Sequence, residues 1–206
     1  LDTLIDIDKQ LMLWLNTDAF PFLDGPMWYF SSKFFWTPIY ALMLYALYKK
    51  YSVKYFLWIV VIIALCVLIN DQTASGIFKN WIGRLRPSRD PDISTLLHLV
   101  KEPNGNIHKG GPFGFYSSHA ANMAGVVTLF LLWMRPLKIL FSTLLILWVL
   151  LISYSRIYLG VHFPFDVLMG LFMGVLGGLL SYFIWKKLMQ KLYPKEAIFN
   201  SRPASL

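Results

Sequence analysis

Apolar residues recur along this chain in long, nearly unbroken runs, separated by short polar stretches and one long one. Five runs, over 27–48, 55–78, 118–134, 138–156 and 164–185, have the roughly 17–25 mainly apolar residues that a helix needs to cross a bilayer. Ahead of them, Leu4, Ile7, Leu11, Trp14 and Leu15 repeat at helical spacing, with Asp2, Asp6, Lys9 and Gln10 elsewhere on the same turns. That pattern predicts an amphipathic helix within 1–20 that lies in the membrane interface. The alternative is a helix of soluble type packed on the bundle. The stretch Phe20-Pro21-Phe22-Leu23-Asp24-Gly25-Pro26 reads as a turn. Residues 88–116, rich in Pro and Gly, form the only long loop, and a loop of that length in a compact protein is usually functional. The expected fold class is therefore all-α: a polytopic membrane helix bundle of about five transmembrane helices plus the interfacial helix. It is read as a single domain over 1–206, with the bundle over 27–185 and a cytoplasmic tail over 186–206. No internal repeat of the kind found in inverted-repeat transporters is apparent.

Composition supports the membrane reading. The chain is 57% hydrophobic and 15% charged, whereas soluble domains carry about 25% charged residues. The net charge of +8 would suit nucleic acid, but the basic excess sits in short segments beside apolar runs, so no nucleic-acid partner is expected. Cys66 lies within an apolar run and reads as a buried, inert thiol. No cleavable signal peptide is expected, since the N-terminal stretch is amphipathic and carries four Asp by position 18. Lys49, Lys50, Lys54, Arg135, Lys138, Lys186, Lys187, Lys191, Lys195 and Arg202 fall on one side of the predicted spans with a single acid, Glu196. The other nine Lys/Arg and ten acids fall on the opposite side. The positive-inside rule makes the first side cytoplasmic.

Three polar pieces end these runs on the outward side: Lys79-Asn80-Trp81-Ile82-Gly83-Arg84-Leu85-Arg86-Pro87, Tyr116-Ser117-Ser118-His119, and Ser155-Arg156 followed by His162 and Asp166. Lys79 and Arg86, seven apart, share a face if the helix runs through both. Guanidinium forks match phosphate oxygens, and Lys adds a point charge. Arg156 adds a third cation. Ser117 and Ser118 precede a span, where they cap the helix and where its free amides favour an anion. An Asp four residues after His162 can hold one ring nitrogen and leave the other free to attack. His119 can pass protons. With no Cys cluster and no carboxylate pair, neither a metal nor another cofactor is expected. His98 and His108 read as solvated loop residues. Asn70-Asp71-Gln72 end a span, where polar groups are functional by default, with Asp71 pairing to a cation or a neighbouring helix.

Taken together, the pieces resemble the signature of the type 2 phosphatidic acid phosphatase superfamily, whose soluble relatives include vanadium haloperoxidases. That signature is Lys-x6-Arg-Pro, Pro-Ser-Gly-His and Ser-Arg-x5-His-x3-Asp. Lys79, Arg86, Pro87, Ser117, His119, Ser155, Arg156, His162 and Asp166 match it. Tyr116 stands in place of the Pro and Ser118 in place of the Gly. The resemblance implies a metal-independent membrane phosphatase in which His162 attacks phosphorus, Asp166 orients it, and His119 serves the leaving oxygen and then the water. Lys79, Arg86, Arg156, Ser117 and Ser118 would hold the phosphate. It also implies a lipid phosphate substrate, of the undecaprenyl diphosphate or lipid A 1-phosphate type, with phosphatidylglycerol phosphate or phosphatidic acid as the alternative. The place implied is a bacterial inner membrane, with the site facing the periplasm or exterior and the C-terminus cytoplasmic. A non-enzymatic anion transporter would need polar groups through the bilayer centre, and the last three spans are apolar throughout.

Overall fold

The computed structural model describes residues 2–17, 20–102 and 105–194. All regular elements among them are helical, apart from two isolated antiparallel bridges. Besides three short 3-10 turns, these are, in chain order, α1 (Asp2–Leu15), α2 (Asp24–Phe30), α3 (Thr37–Lys50), α4 (Val53–Asp71), a π-helical segment (Gln72–Phe78), α5 (Lys79–Ile82), α6 (Ser118–Trp133), α7 (Ile139–Tyr158) and α8 (Pro164–Leu192). From α4 through α5 the chain runs as one 30-residue helix, about 45 Å long at 1.5 Å per residue. That helix, α7 and α8 are long and apolar enough to cross a membrane, while α6 is apolar and shorter, at 16 residues.

The first predicted span, 27–48, is not one helix. It breaks at Ser31–Trp36 into α2 and α3, the latter of 14 residues. The break is held locally, because the Trp36 indole Nε1 donates to the Phe30 carbonyl at 2.8 Å and Pro38 sits in the first turn of α3. The expected tail beyond residue 194 lies outside the described residues.

Packing follows the economy of a membrane interior, where small residues let helix backbones approach. On α8 the inward positions are Gly170, Gly174, Gly177, Gly178 and Ser181, while Leu168, Phe172, Leu176, Leu180 and Phe183 point outward and are exposed. Gly174 and Gly178 lie directly on the α6 backbone: a Cβ at Gly178 would come within 2.8 Å of the Gly125 carbonyl. Asn70, fully inside, donates to the Ala121 carbonyl at 3.1 Å and ties α4 to the same seam. Asp71 accepts from Asn122 of α6 at 2.9 Å, so the polar end of α4 pairs with a neighbouring helix. Tyr51, Trp133, Tyr182 and Trp185 close the bundle at one end, and the three sequence pieces meet at the other.

Helix α1 packs against that other end in an unexpected orientation. Asp8, Met12 and Asn16, one turn apart, face the protein and are buried. Leu4, Ile7 and Trp14 of the expected apolar face point away and are exposed.

Candidate active site

Residues after α5 do not continue the helix, so Lys79 and Arg86 do not share a helical face. Gly83 ends α5, and the chain becomes extended, pairing with the returning end of the long loop. Arg86 N donates to the Pro112 carbonyl at 3.1 Å, and Gly114 N to the Arg84 carbonyl at 2.9 Å. This places the Arg86 side chain against the α7–α8 turn. Its Nε donates to the Phe113 carbonyl (3.2 Å) and its Nη1 to the Val161 carbonyl (3.0 Å), with Nη1 also 3.3 Å from His162 Nε2.

The α7–α8 turn owes its shape to Gly160. Its φ of +70° is in the left-handed region, and a Cβ there would strike Leu99. The chain folds back so that Val161 N and His162 N both donate to the Arg156 carbonyl, at 3.1 and 3.3 Å. Pro164 occupies the first turn of α8, so His162 lies just outside the helix, as its sequence position suggests. The ring is 2% exposed. Nε2 faces Arg86, and Nδ1 is 3.5 Å from Asp166 Oδ2. Burial first, then Arg86, Arg156 and Lys79, hold His162 well below the ordinary histidine value of 6.5, so the ring is neutral at neutral pH.

Asp166 is fully buried and engaged on both oxygens: Arg84 Nη1 donates to Oδ1 and Phe163 N to Oδ2, each at 3.0 Å. Ser117, equally buried, caps α6 through its hydroxyl, and its amide donates to the Asp166 carbonyl. Lys79 Nζ donates to Ser75 (2.9 Å) and reaches Ser118 Oγ at 3.4 Å. Arg86, Asp71, Arg156 and Asp166 all lie within electrostatic reach of Lys79. Arg156, half-buried, donates to the Ser31 hydroxyl in the break between α2 and α3. His119 has Arg156, Lys33 and His162 as its charged or titratable neighbours. The structure thus brings Lys79, Arg86, Ser117, Ser118, His119, Arg156, His162 and Asp166 to one place.

Tyr116, where the signature has Pro, is buried against Ala74 and Ala121, and its hydroxyl lies 2.7 Å from Thr73 Oγ1, anchoring the loop to the π-helical segment. Two expectations are corrected. His98 is paired with Asp24 at 2.8 Å and His108 with Glu102 at 2.9 Å, so neither is merely solvated. Arg84 and Asp8 were not assigned to the site by sequence reasoning. Arg84 bridges Asp166 to Asp8, whose Oδ2 is 2.6 Å from Arg84 Nη2, with the guanidinium 3.9 Å over the Phe163 ring. Burial raises the Asp8 carboxyl above its ordinary range, against the pull of the Phe165 amide and Arg84. Nothing local marks this contact, which spans 76 residues of chain.

Beside His119 a groove of about 290 Å³ opens between α3, α4 and α6. Lys33, Asp71, His119 and Asn122 line one part, and apolar side chains including Leu44, Leu47, Ile63, Val126 and Phe130 line the rest.

Comparison with known proteins agrees with this architecture. The sequence model of the PAP2 superfamily matches residues 55–190. The chain is 40% identical over 193 residues to the lipid A 4'-phosphatase of Bacteroides thetaiotaomicron, covering 93% of this chain and 83% of that protein. It is 36% identical over 188 residues to the lipid A 4'-phosphatase of Porphyromonas gingivalis, covering 90% and 75%. Among solved structures, the PAP2-type phosphatidylglycerolphosphate phosphatase of Bacillus subtilis shares the fold. Its TM-score is 0.65 at 22% identity, covering 91% of this chain and 89% of that one. The chain belongs to the PAP2 superfamily. It is a multi-pass membrane lipid phosphatase of that type.

Proposed function

We propose that this enzyme hydrolyses a phosphate monoester on a lipid A-type glycolipid, through a phosphohistidine on His162, at the outer face of a bacterial inner membrane. The groove beside His119 is the observation that carries the lipid reading: charged groups at one part of it meet an apolar channel suited to an acyl chain. The relatives of highest identity above are named for the 4'-phosphate of lipid A. That supports a 4'-phosphate over the 1-phosphate or undecaprenyl diphosphate expected from the sequence.

In this reading His162 Nε2, the nitrogen turned toward the cations, attacks phosphorus. The ester P–O bond breaks as His119, which takes up a proton when the phosphate anion binds beside it, gives that proton to the leaving oxygen. His119, now neutral, takes a proton from water, and the resulting attack on phosphorus breaks the P–N bond, releasing phosphate and His162. Asp166 orients the His162 ring. Lys79, Arg86, Arg156 and the amide at Ser118 stabilise the charge on the equatorial oxygens, the main task of a protein in phosphoryl transfer; the Ser117 amide, expected to share that role, is instead held by the Asp166 carbonyl.

Filling the groove tests the lipid reading. Val126→Trp should lower kcat/KM for a long-chain lipid phosphate by about tenfold more than for an aryl phosphate, since the lost binding belongs to the chain. Equal losses on both substrates, or none on either, would refute the reading.

The outward site rests on the charge asymmetry between the two sides of the bundle. In intact cells on a Cys66→Ala background, an impermeant thiol reagent should label a cysteine placed at Asn106 and spare one at Gln190. Labelling of Gln190→Cys alone would invert the orientation.

A further inference from the structure

We propose that Asp8, on the N-terminal helix, is a positioning residue that restrains Arg84 so that Asp166 keeps one carboxylate oxygen for His162. The inference rests on the reading of His162 as nucleophile and Asp166 as the group that orients it.

Arg84 stands between two buried carboxylates and gives one nitrogen to each: Nη1 to Asp166 Oδ1 at 3.0 Å and Nη2 to Asp8 Oδ2 at 2.6 Å. A guanidinium beside a single carboxylate takes both its oxygens in a fork. Asp8 prevents that here by engaging half of the fork. The Oδ2 of Asp166 is then left to the Phe163 amide and the His162 ring. The 3.5 Å separation from His162 Nδ1 is already longer than the 2.7–2.9 Å or so of a charge-assisted bond, so any further pull on the carboxylate loosens the ring. Asp8 acts on the same turn a second way. Its Oδ1 accepts from Phe165 N at 2.9 Å, one of the free amides that begin α8, directly before Asp166.

Asp8 touches none of the cations that line the phosphate site, so its effect passes through Arg84 and the start of α8. Helix α1 is docked by other contacts. Met12 packs with Ile93, Ile157, Phe163 and Val167. Asn16 bonds the Tyr158 carbonyl and the His98 amide, and Lys9 pairs with Asp90 and Asp92. Asp8→Asn removes the charge while these contacts stay.

The test compares full-length parent, Asp8→Asn, Arg84→Gln, the double variant and Asp166→Asn in detergent, with an aryl phosphate as substrate. Asp8→Asn should lower kcat by about tenfold, the scale of a small misplacement of a reacting group, with KM changed less than about twofold and rescue by Asp8→Glu in part. The double variant should be no slower than Arg84→Gln alone, because the two residues act through one link. A kcat for Asp8→Asn within about twofold of parent while Asp166→Asn is inactive, or losses that multiply in the double variant, would overturn the proposal alone. Full activity in Asp166→Asn would overturn the underlying reading and the proposal with it. Should Asp8→Asn not be recovered folded, Arg84→Lys reads the same link. A lysine cannot span both carboxylates, so a similar drop in kcat supports the proposal and an unchanged kcat refutes it.

Discussion

His162→Ala abolishes phosphoenzyme formation, while His119→Ala accumulates it: this is the expected outcome with an aryl phosphate, whose leaving group departs with little help from an acid. His162→Ala lacks the nitrogen that forms the P–N bond. His119→Ala retains it but lacks the base for the water, so turnover falls by roughly 10²–10⁴ and the intermediate persists. Phosphohistidine is lost in acid, so the trapped protein is examined under alkaline conditions. Label found in His162→Ala, or on another residue of the parent, would show the nucleophile to be misassigned. The environment of the ring adds a sign. Burial and the adjacent Arg86 favour neutral His162 and hold its pKa well below 6.5, so the nucleophile stays competent as pH falls through 6.5 and loses activity only when the lowered value is reached.

Arg86→Lys should cost about 10²–10³ in kcat/KM, the loss typical of removing a fixed donor to developing charge. The charge is retained, so a purely Coulombic role would leave the enzyme within a few-fold of parent. The structure argues against so small an effect. Arg86 is 9% exposed and uses separate nitrogens to hold the Phe113 and Val161 carbonyls while facing His162 Nε2. A single ammonium cannot hold the long loop and the α7–α8 turn together while also facing the nucleophile. Vanadate affinity should fall in parallel. Parent-like kcat/KM and vanadate inhibition in Arg86→Lys would remove Arg86 from the phosphate clamp.

Residues whose environment is local were legible in the sequence. The runs over 55–78, 138–156 and 164–185 correspond to helices because apolar length alone specifies them. Pro164 located the start of α8, and Ser117 the cap of α6. The break in 27–48 escaped because Phe34, Phe35 and Trp36 keep the turn as apolar as the helices around it. Ser31-Ser32-Lys33 and Pro38 were the available signals. The extended path to Arg86 was hidden by a seven-residue spacing that also fits a helix, although Gly83 between Lys79 and Arg86 marked the stop. The Asp8–Arg84 pair carried no signal. A carboxylate on an amphipathic helix looks solvated until tertiary structure turns that face inward, as it does at Asp8, Met12 and Asn16.

The glycine seam between α6 and α8 bears on how this protein tolerates change. His119 begins α6 and Asp166 begins α8, and below them the helices touch backbone to backbone, with no flexible side chain as a spacer. Their separation is therefore insensitive to rotamer exchange and to the identity of the large outward residues. Leu168, Phe172, Leu176, Leu180 and Phe183 can be replaced to suit bilayers of different thickness or composition while the ruler between the proton-transfer residue and the carboxylate that orients the nucleophile keeps its length.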